Sequence, residues 1–131
     1  MEKWIEFKKG SIPLDTYTIY IQAGEENGLK ILLKGQTHRV NLDFGAVQAF
    51  RTIDEGLVQT NLYSEVEIEK YRQQEFENVI YELSEGAFFT EITKISGGYS
   101  EFLELKHFVI VTQNYNLDIL TLEDPRVTVI Y

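Results

Sequence analysis

The chain has 131 residues, a length typical of a single domain, and 44% of them are hydrophobic. It contains no cysteine, which excludes disulfides, thiolate zinc sites, iron–sulfur clusters and a cysteine nucleophile. The formal net charge of −9 repels phosphate backbones and anionic lipid headgroups, and it attracts a basic protein. We therefore expect one domain over residues 1–131 that binds neither nucleic acid nor a membrane. The same acidity also serves solubility.

Three β-strands are predicted in the first third of the chain. Residues 17–22 are β-branched and aromatic, residues 29–33 are apolar, and residues 40–44 alternate between apolar and polar side chains. Turn-forming residues separate them, with Asn27 and Gly28 in the first turn and Gly35 in the second. Strands joined by such short turns predict an antiparallel meander.

Residues 45–55 fit two patterns. Val47 and Phe50 have helical spacing, whereas Gly45 suits a bulge within one long, bent strand. We favour a strand through residues 49–51.

A helix is predicted over about residues 85–96. Its apolar stripe has the spacing of an amphipathic helix and consists of Phe88, Phe89, Ile92 and Ile95. We expect Ser84 to cap this helix, Glu85 to lie in its first turn and Lys94 near its last turn. Gly97 and Gly98 end it.

A second, shorter helix is predicted over about residues 65–74, because Ser64 and Glu67 have the spacing of a capping box. Residues 79–81 suggest a short strand. Residues 107–112 and 117–122 flank a polar tetrapeptide and strongly predict a hairpin. After Asp124 and Pro125, residues 127–131 form a last strand. The fold class is therefore α+β, with a mainly antiparallel sheet of meander and hairpin type.

The sequence lacks the common motifs of catalysis and metal binding. His38 and His107 are its only histidines, so three-histidine zinc chemistry is excluded. A P-loop, a nucleophile elbow and a dinucleotide fingerprint are all absent from the sequence. We predict no metal, no cofactor and no catalytic residue. A Ser–His–Asp triad stays open, because its members need not be close in sequence.

Candidate binding residues come from turns and strand ends. Tyrosines in turns suit interfaces, since they offer a large contact area and a polar tip. A histidine before a core strand and an arginine at a polar turn suit ligand contacts, although a local hydrogen bond and a salt bridge are the favoured explanations of the two residues. The candidates are Arg51, Tyr99, His107, Tyr115 and Asp118. We interpret the other tyrosines as half-buried strand residues.

The last strand is apolar to its final residue, Tyr131. At the edge of a sheet, such a strand invites pairing with another chain. This predicts a homodimer formed through residues 127–131.

Three regions resemble a known class of proteins. They are residues 49–56, residues 84–98, and residues 105–112 with their continuation through residues 117–120 to Asp124 and Pro125. Their order resembles small, poorly characterised bacterial proteins of the toxin-immunity type, over residues 40–125. The resemblance implies one α+β domain that binds a protein and performs no chemistry. It implies no specific binding residue.

Our leading hypothesis is a cytoplasmic, non-catalytic protein of the immunity type that sequesters a basic toxin. The absence of any apolar run of ~18–20 residues and the charged first nine residues support that location. A second hypothesis is a small-ligand or enzymatic domain that uses Arg51, His107 and Asp118. A third is a structural, oligomerising module.

Overall fold

The computed structural model describes residues 1–24, 26, 28–54, 62–97 and 104–131. Within these ranges the α+β class is confirmed, with nine strands and two helices. Neither helix is long and apolar enough to cross a membrane. The elements are β1 (Lys3–Glu6), β2 (Thr18–Gly24), β3 (Gly28–Lys34), β4 (Arg39–Gly45), β5 (Ala49–Asp54), α1 (Glu65–Arg72), β6 (Ile80–Ser84), α2 (Ala87–Ile95), β7 (Lys106–Val111), β8 (Tyr115–Thr121) and β9 (Arg126–Val129).

The strands form two antiparallel sheets. The first has the order β1-β6-β7-β8-β5, and the second has the order β2-β3-β4-β9. The main core contains residues from both sheets, among them Leu33 and Leu42 from the second and Phe108 and Ile119 from the first. The alternation of buried and part-exposed residues along β3 and β4 fits one face in this core and one face outward.

Both helices lie on the outer face of the five-stranded sheet. Ile68 of α1 joins a second apolar cluster with Trp4, Tyr81 and Val109. The rings of Trp4 and Tyr81 are 5.5 Å apart between centroids. Tyr63 packs in the same cluster. Tyr81 is a strand residue as we expected, although it is almost fully buried, whereas Tyr63 precedes α1 and does not belong to a strand.

The predicted meander and hairpin are confirmed. β2, β3 and β4 are consecutive neighbours, and β7 pairs with β8. The strand through residues 49–51 is also confirmed. The alternative of one long, bent strand through Gly45 is wrong. β4 ends at Gly45, which has a φ of 64°, and β5 belongs to the other sheet. Residues 45–48 therefore carry the chain from one sheet to the other.

The beginning of α2 differs from the prediction. Ser84 does not cap the helix, because it pairs with Lys3 as the last residue of β6. Glu85 then takes a φ of 56°, and Gly86 is the N-cap without a side-chain hydrogen bond. At α1 the predicted cap is confirmed, as the side chain of Ser64 accepts a hydrogen bond from the Glu67 N–H at 3.4 Å.

Asp15 connects the segment before β2 to the turn between β3 and β4. Its Oδ1 accepts hydrogen bonds from the N–H groups of Thr16 at 2.7 Å and Gln36 at 2.9 Å. Its Oδ2 accepts from the N–H groups of Thr37 and His38, both at 2.9 Å. The Thr37 N–H and the other donors hold the pKa of Asp15 well below its usual range, against the opposing effect of burial.

We expect Asp15→Asn to destabilise the protein in a pH-dependent way. A lowered folded-state pKa means that the ionised carboxylate stabilises the fold above the unfolded pKa of about 3.9. This contribution is lost as the pH falls through the folded-state pKa. Denaturant titrations should show a gap between wild type and variant at neutral pH that narrows below about pH 4. The exposed control Glu91→Gln should show no such gap. A gap independent of pH contradicts the assignment.

Candidate functional site

Three of the five candidate residues lie together. Arg51 is on β5, His107 on β7 and Asp118 on β8, and their side chains meet on the face of the sheet that the helices cover. Tyr115, at the start of β8, is 37% exposed and lies opposite Asp54 of β5 rather than opposite Arg51. Tyr99 lies outside the described residues. The second of our hypotheses therefore named residues that the fold brings together.

The strand register explains why the side chains of Arg51, His107 and Asp118 lie together. Arg51 is directly opposite Asp118 across β5 and β8. Val109 is opposite Asp118 across β7 and β8, which places His107 at the diagonal position. Directly opposite and diagonal neighbours on one face of an antiparallel sheet are within side-chain reach.

Asp118 is the centre of the site, and its side chain is completely buried. Its Oδ2 accepts a hydrogen bond from Nε of Arg51 at 2.8 Å and another from the Tyr63 hydroxyl at 2.8 Å. Its Oδ1 bonds to Nε2 of His107 at 2.8 Å. We call these four residues, Arg51, Tyr63, His107 and Asp118, the Asp118 cluster.

The sequence interpretation missed Tyr63. It precedes α1 and is 55 residues away from Asp118 along the chain, so no local pattern connects them. Phe88 was expected from its helical spacing to face inward. In addition, its ring lies 4.6 Å from Cζ of Arg51, a cation–π contact that spacing does not predict.

Protonation in the cluster follows from charge and burial. Burial acts to raise the pKa of Asp118, but the hydrogen bonds and charges of His107 and Arg51 outweigh it and hold that pKa below its usual value. Burial and the Asp118 charge raise the pKa of Tyr63. Asp118 is therefore an acceptor and Tyr63 a donor. An ionised carboxylate cannot donate, so the proton in its bond to His107 belongs to Nε2.

The other ring nitrogen of His107 is buried and has no hydrogen-bond partner within the described part of the chain. Gly86, the N-cap of α2, lies against it, and a Cβ added to Gly86 would be 2.6 Å from Nδ1. The glycine thus allows the helix to begin directly on the imidazole ring.

These contacts leave neither ring nitrogen of His107 facing a nucleophile. In a nucleophile-activating histidine, one nitrogen is oriented by a carboxylate and the other faces the nucleophile. Here the second nitrogen of His107 faces the backbone at Gly86, and the side chain is 3% exposed. Within the described ranges, no group of three or more His, Asp or Glu side chains is arranged to hold a metal ion. The geometry therefore favours a structural role that joins β5, β7, β8 and the segment before α1.

Comparison with protein-family models, curated proteins and solved structures finds no match to this chain. The resemblance to immunity proteins therefore stays a prediction.

We expect Asp118→Asn to destabilise the protein by about 3–5 kcal/mol, because it leaves Arg51 and His107 without their buried charge partner. Tyr63→Phe removes one hydrogen bond to the charged group and should cost about 2 kcal/mol. Denaturant unfolding measures both. Equal costs for the two variants would show that Asp118 is not the centre of the cluster.

We expect Gly86→Ala to cost about 1–3 kcal/mol, since its methyl group collides with the His107 ring. Gly24→Ala is the matched control: that position has open space around its Cβ, and the change should be within about 0.5 kcal/mol. Thermal or chemical denaturation compares the two. If both variants are equally stable, the contact between α2 and His107 is not tight.

Proposed function

We propose that this protein is a non-catalytic, protein-binding domain of the bacterial immunity type, which sequesters a basic toxin in the cytoplasm. The observation that carries this proposal is the uneven distribution of charge between the two layers of the fold. The Asp118 cluster supports the non-catalytic part, because Asp118 engages Arg51, Tyr63 and Nε2 of His107, and the other nitrogen of His107 faces the backbone at Gly86.

The outer face of the four-stranded sheet is basic. Strand register places Lys30 opposite Asp43, and Asp43 opposite Arg126. Lys34 is opposite Arg39 on the same face. This basic face thus holds four of the twelve Lys and Arg residues but one of the twenty-one Asp and Glu residues. The acidic charge must therefore be concentrated elsewhere on the molecule.

The helical side carries much of that acidic charge. Residues 62–97 contain eight glutamates and three lysines or arginines. Among the exposed glutamates are Glu69 on α1, Glu77 after it and Glu91 on α2. A molecule with one basic face and one acidic side orients an approaching basic protein toward the acidic side. We therefore assign partner binding to the helical side.

Affinity capture tests this proposal. The tagged protein is incubated with a lysate of the cells that encode it, and bound proteins are eluted with salt. A captured basic protein is then purified, and its association rate and its activity are measured with the wild-type domain. We expect inhibition of that activity, together with association that slows as salt is added.

Two charge variants locate the surface. The helical-side variant combines Glu69→Lys, Glu77→Lys and Glu91→Lys, and the sheet-face control combines Lys30→Glu, Lys34→Glu and Arg126→Glu. The first should slow association by about ten-fold or more, whereas the second should not slow it. Capture of no basic protein, or equal rates for wild type and the helical-side variant, contradicts the proposal.

A second candidate function is self-association through β9. This strand lies at the edge of the four-stranded sheet, and Val129, Ile130 and Tyr131 are exposed by 45%, 52% and 60%. Exposed apolar side chains on an edge strand favour pairing with another copy. Such pairing would extend the sheet and would leave the helical side free.

Sedimentation velocity over a range of concentrations tests the homodimer. We expect wild type to dimerise and Ile130→Lys to be monomeric, because a charge at the edge opposes strand pairing. Leu122→Lys, at an exposed position after β8, is the matched control and should dimerise like wild type. A wild-type protein that stays monomeric at all concentrations removes this candidate. These point substitutions leave the pairing of β9 with β4 in place, which truncation after Pro125 would not.

A further inference from the structure

A groove of about 770 Å³ lies beside α1, lined by residues other than those of the Asp118 cluster. Its walls come from residues 14–17, from the turn that follows α1, and from the facing ends of β7 and β8. Ile68, Phe76 and Val111 give it apolar surface.

Asn116 lies in the wall of this groove and is 3% exposed. It is directly opposite Val111 across β7 and β8. Its Oδ1 is buried and has no hydrogen-bond partner among the residues that the structure describes. Buried polar atoms are nearly always paired in folded proteins, so an unpaired acceptor in a groove indicates a donor that a ligand supplies.

The charges around the groove decide the kind of donor. Glu75 and Glu77 are exposed, and neither has an ion-pair partner among the described residues. Arg72 also lines the groove, but its Nη1 is already paired with Oε2 of Glu69 at 2.6 Å. Asp15 adds a further negative charge. The groove therefore favours a cationic donor.

The turn that carries the two glutamates is held in one conformation. Glu75 and Phe76 are successive non-glycine residues with φ values of 55° and 52°. The N–H of Phe76 donates to the Tyr71 carbonyl at 3.0 Å, and the N–H of Glu75 donates to the Arg72 carbonyl at 2.9 Å. These bonds keep Glu75 beside the groove without a partner present.

We propose that this groove binds one lysine or arginine side chain of the protein partner. The proposal rests on the proposed function and names the anchoring contact. The cationic head group donates a hydrogen bond to Oδ1 of Asn116 and lies near Glu75 and Glu77. The aliphatic stem packs on Phe76 and Val111, since such stems bury well while the charge stays near polar groups.

Nuclear magnetic resonance on the full chain labelled with ¹⁵N tests the site without a known partner. The ligands are N-acetyl-arginine amide and N-acetyl-lysine amide, and N-acetyl-glutamine amide is the uncharged control. We expect the two cationic compounds to shift the amide signals of Phe76, Val111 and Asn116, including the Asn116 side-chain NH₂. The glutamine compound should not shift them. If the amide signals of all exposed glutamates shifted equally, binding in the groove would be contradicted.

Matched variants distinguish the contribution of the Asn116 acceptor from that of Glu75 and Glu77, which we call the rim of the groove. Asn116→Leu keeps the side-chain shape and removes the acceptor, and it should weaken binding by about five-fold. The double variant Glu75→Gln, Glu77→Gln changes exposed positions, so it keeps the test valid if Asn116→Leu does not fold. It should weaken binding and reduce its salt dependence, whereas Glu91→Gln on α2 should do neither. Unchanged affinity in the rim variant contradicts the proposal.

Failure of the groove proposal can be distinguished from failure of the proposed immunity-type function. If the captured partner binds the rim variant as tightly as wild type, the groove proposal fails and protein binding stands. If no partner is captured but the amides still bind in the groove, the immunity-type function fails and the cation site stands.

Discussion

The five-stranded sheet depends on a single buried carboxylate. Asp118 is on a central strand, and a charge there is stable only when donors surround it. Arg51 supplies one donor from the edge strand β5, His107 another from β7, and Tyr63 a third from the segment before α1. The requirements of one side chain thus fix the position of β5, the start of α1 and, through the imidazole ring against Gly86, the start of α2.

Asp118 also bears on function, because it engages residues that the sequence suggested as a ligand site. It binds Nε2 of His107 and Nε of Arg51, the two residues that were the strongest candidates for chemistry. What stays open is the surface: a basic sheet face, an acidic helical side, and a groove with an unpaired amide at Asn116. Under the function we propose, these features serve to recognise another protein by charge and by one inserted side chain.

Local patterns in the sequence predicted most of the elements. An apolar run identified β3 and alternation identified β4. The spacing of Ser64 and Glu67 identified α1, and a polar tetrapeptide between apolar runs identified the β7–β8 hairpin. Division into two sheets was not predictable, because it depends on which strands pair at long range. The cap at Ser84 failed for the same reason, since pairing with β1 extends β6 through that residue. Arg51, His107 and Asp118 were grouped in one hypothesis, but the register that brings their side chains together was not predictable. Tyr63 and Asn116 carry no local signal at all.

The order of strands in the five-stranded sheet also shapes how the chain folds. His107 and Asp118 are 11 residues apart on one hairpin, whereas Arg51 and Tyr63 are 67 and 55 residues away from Asp118. Closing a short loop costs less entropy than closing a long one, so we expect the hairpin and its histidine–carboxylate bond to form early. We expect the arginine and the tyrosine to join later and complete the donor set. Folding should accordingly be limited by the long-range docking of β5 and β1 onto a preformed hairpin, at the slow rates typical of sandwiches with many distant contacts.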